Sequence, residues 1–359
     1  MKRTLAVILA FVMVLGLTAC GGSSAPAKST PAESESKTPE ARTEVLTLKL
    51  GSLGSGREDD CQYYPITKFI EIVEEKTNGM IQIEYYPGGQ LGGEPEMLDQ
   101  VLSNSLDIGV LSANVLATVW PELYAYNLPF AFDNLEQLWE ICGFEAGDFY
   151  TAMKNSVDKS ELAHFVSTFS AEFRGCQNTK RPVRSPADFK GLTYRVMAGE
   201  IFTDIFQSLG ASTATVTFAE LYTGLQQGIV DGEDVGLSMF YDQKFHEVEK
   251  YATQFNITAT INSLVISNGA YDKLSDEEIA IFEEAAKEAE KASYDHVSEY
   301  IDYYVEKCRE VGVNVITHDE LTAEEIQVCK DAVAPMWEKY EKIVGKDAYN
   351  ALMTLTGRA

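Results

Sequence analysis

The chain has 359 residues, with 29 basic and 55 acidic side chains and a formal net charge of −26. At roughly 100 to 200 residues per domain, that length fits one large domain or two ordinary ones with ample material for a core. So acidic a chain does not neutralise phosphate backbones, which argues against nucleic acid and an anionic membrane patch as partners and raises the question whether it can bind an acid.

The N-terminus reads as an address. Met1-Lys2-Arg3 is a positive start, and the apolar run Leu5 to Leu17 is too short to span about 30 Å of hydrocarbon comfortably. The run ends in Leu17-Thr18-Ala19-Cys20-Gly21, which resembles the bacterial lipobox. That resemblance implies a signal peptide over residues 1–19, diacylation of Cys20, and anchoring to the outer face of the cytoplasmic membrane. Residues 20–43 are rich in Ser, Thr, Ala, Pro and Glu and are expected to form a disordered tether. The remainder, residues 44–359, carries net −28.

Leu46 to Leu50 alternate as a strand, followed by the glycine-rich stretch Gly51 to Gly56. Helical spacing at Ile66, Phe69, Ile70 and Val73 closes at Asn78-Gly79, and Met80 to Tyr86 alternate again, a βαβ signature. A helix over Glu94 to Leu102 and a strand at Asp107 to Leu111 repeat the pattern. Farther on come a strand over Leu192 to Met197, a helix over Glu200 to Leu209 and a capping box at Thr217 and Glu220. This alternation predicts an α/β architecture with mostly parallel sheets. The last 88 residues differ: capping boxes at Ser275/Glu278 and Thr322/Glu325 open helical patterns, the first of about 35 residues, or about 50 Å. A helix of that length suits one lying across two domains.

Catalytic and metal signatures are absent. The histidines at 164, 246, 296 and 318 lie in separate elements, and Cys61, Cys142, Cys176, Cys308 and Cys329 show no metal-ligand spacing. Their odd number leaves at least one thiol free, and the pairing is open. The glycine run fits neither nucleotide fingerprint. No cofactor and no metal are expected. The informative cluster is Arg174, Arg181, Arg184 and Arg195 in an acid-rich chain. Arg195 ends an apolar strand, where α/β sheets face their ligand crevice, and a guanidinium fork there matches a carboxylate. Pairing with a protein acid explains the position equally well.

Phe173-Arg174, Ser185-Pro186-Ala187-Asp188-Phe189-Lys190-Gly191-Leu192, Tyr194-Arg195-Val196-Met197 and the run Phe218 to Gly232 closely resemble the solute receptors of tripartite ATP-independent periplasmic (TRAP) transporters, the DctP family. Gly89-Gln90-Leu91-Gly92-Gly93-Glu94 and Leu128-Pro129-Phe130 are similar too, and the likeness covers nearly all of residues 45–292. It implies a two-lobed periplasmic-binding-protein-like (Venus flytrap) fold with a long helix spanning both lobes. Lobe one would hold residues 44–171 and 260–300, and lobe two residues 172–259 and 301–359. It also implies a non-enzymatic receptor that closes over a small organic acid and passes it to membrane permease subunits. The substrate carboxylate clamp carries over to Arg195, an assisting role to Arg174 and a packing aromatic to Phe218.

Two departures bear on the ligand. The family usually continues Val-Asp-Gly-Gln with Glu-Asn-Pro, and Asp234 is read here as standing for the asparagine that assists the carboxylate. An aspartate there would meet hydroxyl or ammonium donors, or a bridging cation. The first loop carries Arg57-Glu58-Asp59-Asp60. That loop and Asn114 are expected to choose among acids, with sugar acids, hydroxy acids and zwitterions favoured over plain dicarboxylates. Two alternatives stand beside this reading: a sensor showing its closed form to a membrane signalling protein, and a secreted carbohydrate-active enzyme using Asp231 and Asp234.

Overall fold

The computed structural model describes residues 42–58, 60, 62–143 and 147–358. The expected signal peptide, Cys20 and the expected tether up to residue 41 lie outside them, as do Asp59 and Cys61. Arg42, assigned to the tether, is bound: Nε and Nη2 donate to the two carboxylate oxygens of Glu278 at 2.7 and 2.8 Å.

Among the described residues eleven strands follow in chain order: β1 (Leu46–Gly51), β2 (Ile81–Tyr86), β3 (Ile108–Ser112), β4 (Ala163–Phe173), β5 (Cys176–Asn178), β6 (Thr193–Val196), β7 (Ser212–Thr215), β8 (Gly232–Glu233), β9 (Tyr251–Thr253), β10 (Ala259–Ser267) and β11 (Asn314–Ile316). They form two sheets, ordered β2-β1-β3-β10-β4 and β11-β9-β5-β8-β6-β7. The βαβ reading of the first strands holds, with β1 parallel to β2 from Leu46–Ile81 to Gly51–Tyr86.

The expectation of mostly parallel sheets holds only narrowly, since among the described residues five of the nine strand pairings are parallel and four antiparallel. β10 runs antiparallel to both β3 and β4, and β5 antiparallel to both β8 and β9. The cause is the path between sheets. The chain leaves the first sheet through β4 into β5 and returns through β9 into β10, so the connecting strands lie side by side and opposed, with no crossover helix to make them parallel.

The largest core runs from Leu111, Phe165 and Val265 of the first sheet to Cys176, Tyr194 and Val196 of the second. Each sheet has a further core of its own, and one helix serves both of these. The helix Asp276–Glu310 is 35 residues long and opens with the Ser275/Glu278 capping box. Its first half contributes Phe282, Ala285, Ala286 and Ala289 to a core with Leu48, Phe69, Ile81 and Ile108. The three alanines admit a close approach, and Phe69 meets Phe282 edge-on at 5.4 Å. Its second half contributes Tyr304, Val305 and Cys308 to a core with Phe240, Phe245 and Val315 around the second sheet. This is the two-lobed α/β fold with a spanning helix.

The last two helices, Pro335–Val344 and Lys346–Leu355, touch both sides. Trp337 Nε1 donates to the Pro129 carbonyl at 3.0 Å, and the Tyr340 hydroxyl to Asp204 Oδ2 at 2.8 Å. Cys142, Cys176, Cys308 and Cys329 are buried free thiols. No helix among the described residues is long and apolar enough to cross a membrane.

Candidate functional site

Arg195 is the third residue of β6, whose neighbours Tyr194 and Val196 are buried in the core. Alternation turns the Arg195 side chain to the other face, yet it is only 3% exposed. Its Nε donates to the Val216 carbonyl at 2.9 Å, and its Cζ lies 5.9 Å from the centre of the Phe218 ring. Among the described residues it has no other hydrogen-bond partner, so two Nη groups remain for whatever enters the cavity it lines. Burial, and then repulsion from Arg174, hold this guanidinium below its ordinary pKa.

Arg174 sits where the chain passes from β4 to β5. Its backbone N–H donates to the Thr258 carbonyl at 2.9 Å, tying the outgoing chain to the returning one. The side chain is committed: Nε to Asp234 Oδ2 at 2.9 Å, Nη1 to Thr260 Oγ1 at 3.0 Å, and Nη2 to the Asp234 carbonyl. Burial opposes its charge, but Asp234, by charge and hydrogen bond, outweighs that and raises the Arg174 pKa.

The reading of Asp234 is therefore corrected. It is 2% exposed and lies behind the cavity wall, which is made by Val235 and Gly236. Counted along Val-Asp-Gly-Gln-Glu-Asn-Pro, Val235 takes the place of the asparagine, Gly236 that of the proline and Asp234 that of the glutamate. The cation facing Asp234 is Arg174. Asp231 is equally structural, accepting from the Thr193 backbone at 3.0 Å and lying 3.3 Å from Lys180 Nζ.

An inner cavity of ≈ 50 Å³ is lined by Arg174, Arg195 and Phe218. It shares Leu53, Glu94, Arg195, Met197 and Phe218 with a wider cleft of ≈ 870 Å³ between the first loop and the start of helix Phe218–Gln226. The other predicted residues do other work. Asn114 is buried but lines neither space; its amide donates to the Ala198 carbonyl across the cleft. Arg57 is exposed and reaches Asp242 Oδ1 at 3.0 Å, another cross-cleft bond. Glu58 is exposed and lines neither cavity.

Sequence reasoning missed two acids. Glu94 opens the helix Glu94–Leu102 after Gly92, whose φ of +114° suits glycine. Its carboxylate accepts from the Ser112 backbone at 2.7 Å and from the Ser112 hydroxyl at 2.9 Å. Burial pushes the Glu94 carboxyl up, against the pull of both Ser112 bonds and the two arginines. Glu172, in β4 opposite Thr260 of β10, accepts from the Ser238 hydroxyl at 2.7 Å. Thr260 and Asn262 share one face of β10 and line the same inner cavity.

A rear cavity of ≈ 350 Å³ lies under the long helix, lined by Asp133, Glu172, Asp302, Asp319, His296 and His318 among others, with no lysine or arginine. Its charge does not suit an acid. Among the described residues no cluster of three His, Cys, Asp or Glu side chains forms that could hold a metal ion.

The sequence profile of bacterial extracellular solute-binding protein family 7 (DctP) matches residues 55–343. A solute-binding protein of Roseobacter denitrificans is 29% identical over 249 residues, 68% of this chain and 74% of the relative. The sialic acid-binding periplasmic protein of Vibrio cholerae is 26% identical over 319 residues, 87% of this chain and 93% of the relative. Among solved structures, a TRAP periplasmic solute binding protein from Ochrobactrum anthropi, with its C-terminus bound in the ligand-binding pocket, superposes with a TM-score of 0.77 at 27% identity over 88% of this chain and 96% of that one. One from Shewanella oneidensis, with bound succinate, gives a TM-score of 0.78 at 25% identity over 87% and 99%. With the two-sheet fold and the arginine-lined cleft in place, the match over most of the chain settles the lineage: this protein belongs to family 7 of the bacterial extracellular solute-binding proteins.

Proposed function

We propose that the protein captures a small organic acid between its lobes and presents it to TRAP permease subunits, without making or breaking a bond in it. The observation that carries this is the state of Arg195: a guanidinium buried to 3% exposure, oriented by Val216, with both Nη groups unclaimed among the described residues. A carboxylate is the ligand group that takes two parallel N–H donors at once. Relatives named for sialic acid and solved with succinate support the class of ligand. Phe218 covers the guanidinium on one face, and Arg174 lends positive potential from the hinge.

In this reading the lobes are residues 44–171 with 260–300 and residues 172–259 with 301–359. The passages at Arg174-Gly175 and near Thr258 act as the hinge, and ligand stabilises the closed state by its greater affinity for it. Cys20 carries the lipid, holding the receptor at the outer face of the cytoplasmic membrane. The test is thermal: a saturating organic acid raises the Tm of the wild type by mass action, and Arg195→Ala abolishes that rise while the ligand-free protein stays folded. Retained tight binding by Arg195→Ala would remove the clamp from this reading.

A further inference from the structure

The lobes already meet, and a large space is still left between them. Three bonds cross the cleft: Asn114 to the Ala198 carbonyl, Arg57 to Asp242 at 3.0 Å, and the Glu200 backbone N–H to the Tyr124 hydroxyl at 3.4 Å. The ≈ 870 Å³ beyond Arg195 is therefore room that persists with the lobes in contact. It is the size of a small-molecule site and exceeds what a four-carbon acid fills.

The walls of this space offer little to a second charge. Among the described residues lining it Arg195 is the only cation, and the acids Glu94 and Glu96 stand there too. On the helix side Phe218 and Phe245 pack edge-on at 5.9 Å, with Val216 and Tyr222 beside them. Polar atoms on that side are turned to the protein. The Thr217 hydroxyl donates to Glu220 and the Tyr222 hydroxyl to Glu247, each at 2.7 Å, and the Val216 carbonyl accepts from Arg195. The other side is glycine backbone. Gly88, Gly89 and Gly92 hold positive φ, which keeps side chains out, and their N–H groups donate to the carbonyls of Gly54, Ser52 and Gly89. These three leave no nest of N–H groups for another anion. Ser55, Thr215 and Gln243 also line the space, enough for an isolated polar atom and not for a row of hydroxyls.

We propose that the ligand is a monocarboxylic acid whose remainder is neutral and largely apolar, with the bulk of an aromatic ring or a six-carbon chain. This rests on the reading of Arg195 as the carboxylate clamp. The acid head sits on Arg195 against Phe218, and the tail runs into the wider cleft between the aromatic and glycine walls. A dicarboxylate of the same length puts its second charge beside Glu94 or Glu96 with no cation to meet it. A polyhydroxy acid leaves hydroxyls without partners, at a cost for each one buried. Selection among acids thus falls to the cleft walls and not to Arg57, Glu58 or Asn114, none of which lines the space.

Calorimetric titration with acids of one chain length tests this: hexanoate, adipate and galactonate, with phenylacetate and 3-phenylpropionate added. Hexanoate or an aryl acid should bind about ten-fold or more tightly than adipate and galactonate, the scale of one buried polar group left unpaired. Ala219→Lys places a cation at an exposed position on the cleft wall and should raise adipate affinity about two- to five-fold relative to hexanoate. Leu53→Asn makes a half-buried apolar part of the wall polar and should narrow the gap between hexanoate and galactonate. If adipate or galactonate outranks every apolar monocarboxylate, or neither variant moves the ranking, this inference fails and the receptor reading survives. If no acid of the panel binds, both fail.

Discussion

Arg174 and Arg195 come from the same arginine-rich stretch and are buried to 5% and 3% exposure, but they have opposite neighbourhoods. Arg174 lies where the two connecting strands meet and spends its donors on Asp234 and Thr260. Arg195 lies at a strand end facing the cleft and spends one donor on Val216. Burial alone does not distinguish a structural guanidinium from a binding one. What distinguishes them is whether an acid of the chain is bonded to the guanidinium, and among the described residues only Arg174 has such a bond.

The most direct way to break the comparison is Arg174→Met. It leaves Asp234 buried without its cation, and removing one member of such a pair costs about 3–5 kcal/mol. In a protein of this size that is a fall in Tm of roughly 5–10 °C. Adding Asp234→Asn should recover part of it, since the second change removes the stranded charge. Arg195→Ala breaks no direct ion pair among the described residues and should move the ligand-free Tm far less. Equal losses from the two arginines would erase the distinction drawn between hinge and wall.

The sequence made Arg195 legible because a charge at the end of an apolar strand contrasts with its surroundings. Glu94 and Glu172 offered no such contrast: with 55 acids in the chain, a carboxylate is background. Their signal was indirect, in Gly92-Gly93 before one and in the Thr260 and Asn262 that interrupt the apolar face of β10 opposite the other. Asp234 was displaced by one place because a loop has no periodicity to fix which residue faces the cavity, whereas Arg195 could be placed by strand alternation. The long helix was readable to within a residue, since its capping box and apolar spacing are local. Strand direction was not, because β4 and β10 are antiparallel owing to where the chain goes between them.

A second prediction sharpens what the two arginines do to acids nearby. Glu233 is fully buried and neither of its carboxylate oxygens has a partner among the described residues. Burial, then the charge of Asp234, push its pKa up to about 8, against the pull of Arg174 and Arg195. Glu249, also fully buried, is pushed well above the usual range by burial and then by Glu233. The folded state therefore holds a proton on Glu233 that the unfolded chain releases near its ordinary value. Its contribution to stability is complete below that value and declines as pH rises toward 8. Glu233→Gln keeps a neutral side chain throughout, so its Tm should match the wild type near pH 5 and exceed it by several degrees at pH 8. Parallel pH profiles for the two proteins would show that Glu233 titrates normally.

Arg57 supplies the smallest and most specific test, because it belongs to neither class. Its side chain is half exposed, but its partner Asp242 is 2% exposed and sits across the cleft. An ion pair with one solvated member contributes about 1 kcal/mol or less. Arg57→Ala should therefore lower the ligand-free Tm by no more than about 2 °C. If the bond forms only as the lobes approach, its loss acts on the closed state alone, and ligand affinity should weaken by about two- to five-fold through faster release. Stopped-flow dissociation of a bound carboxylate reads this directly. An unchanged off-rate with a lowered Tm would make Arg57 a brace like Arg174, present in the open and closed states alike, and would leave Arg195 as the arginine whose role depends on ligand.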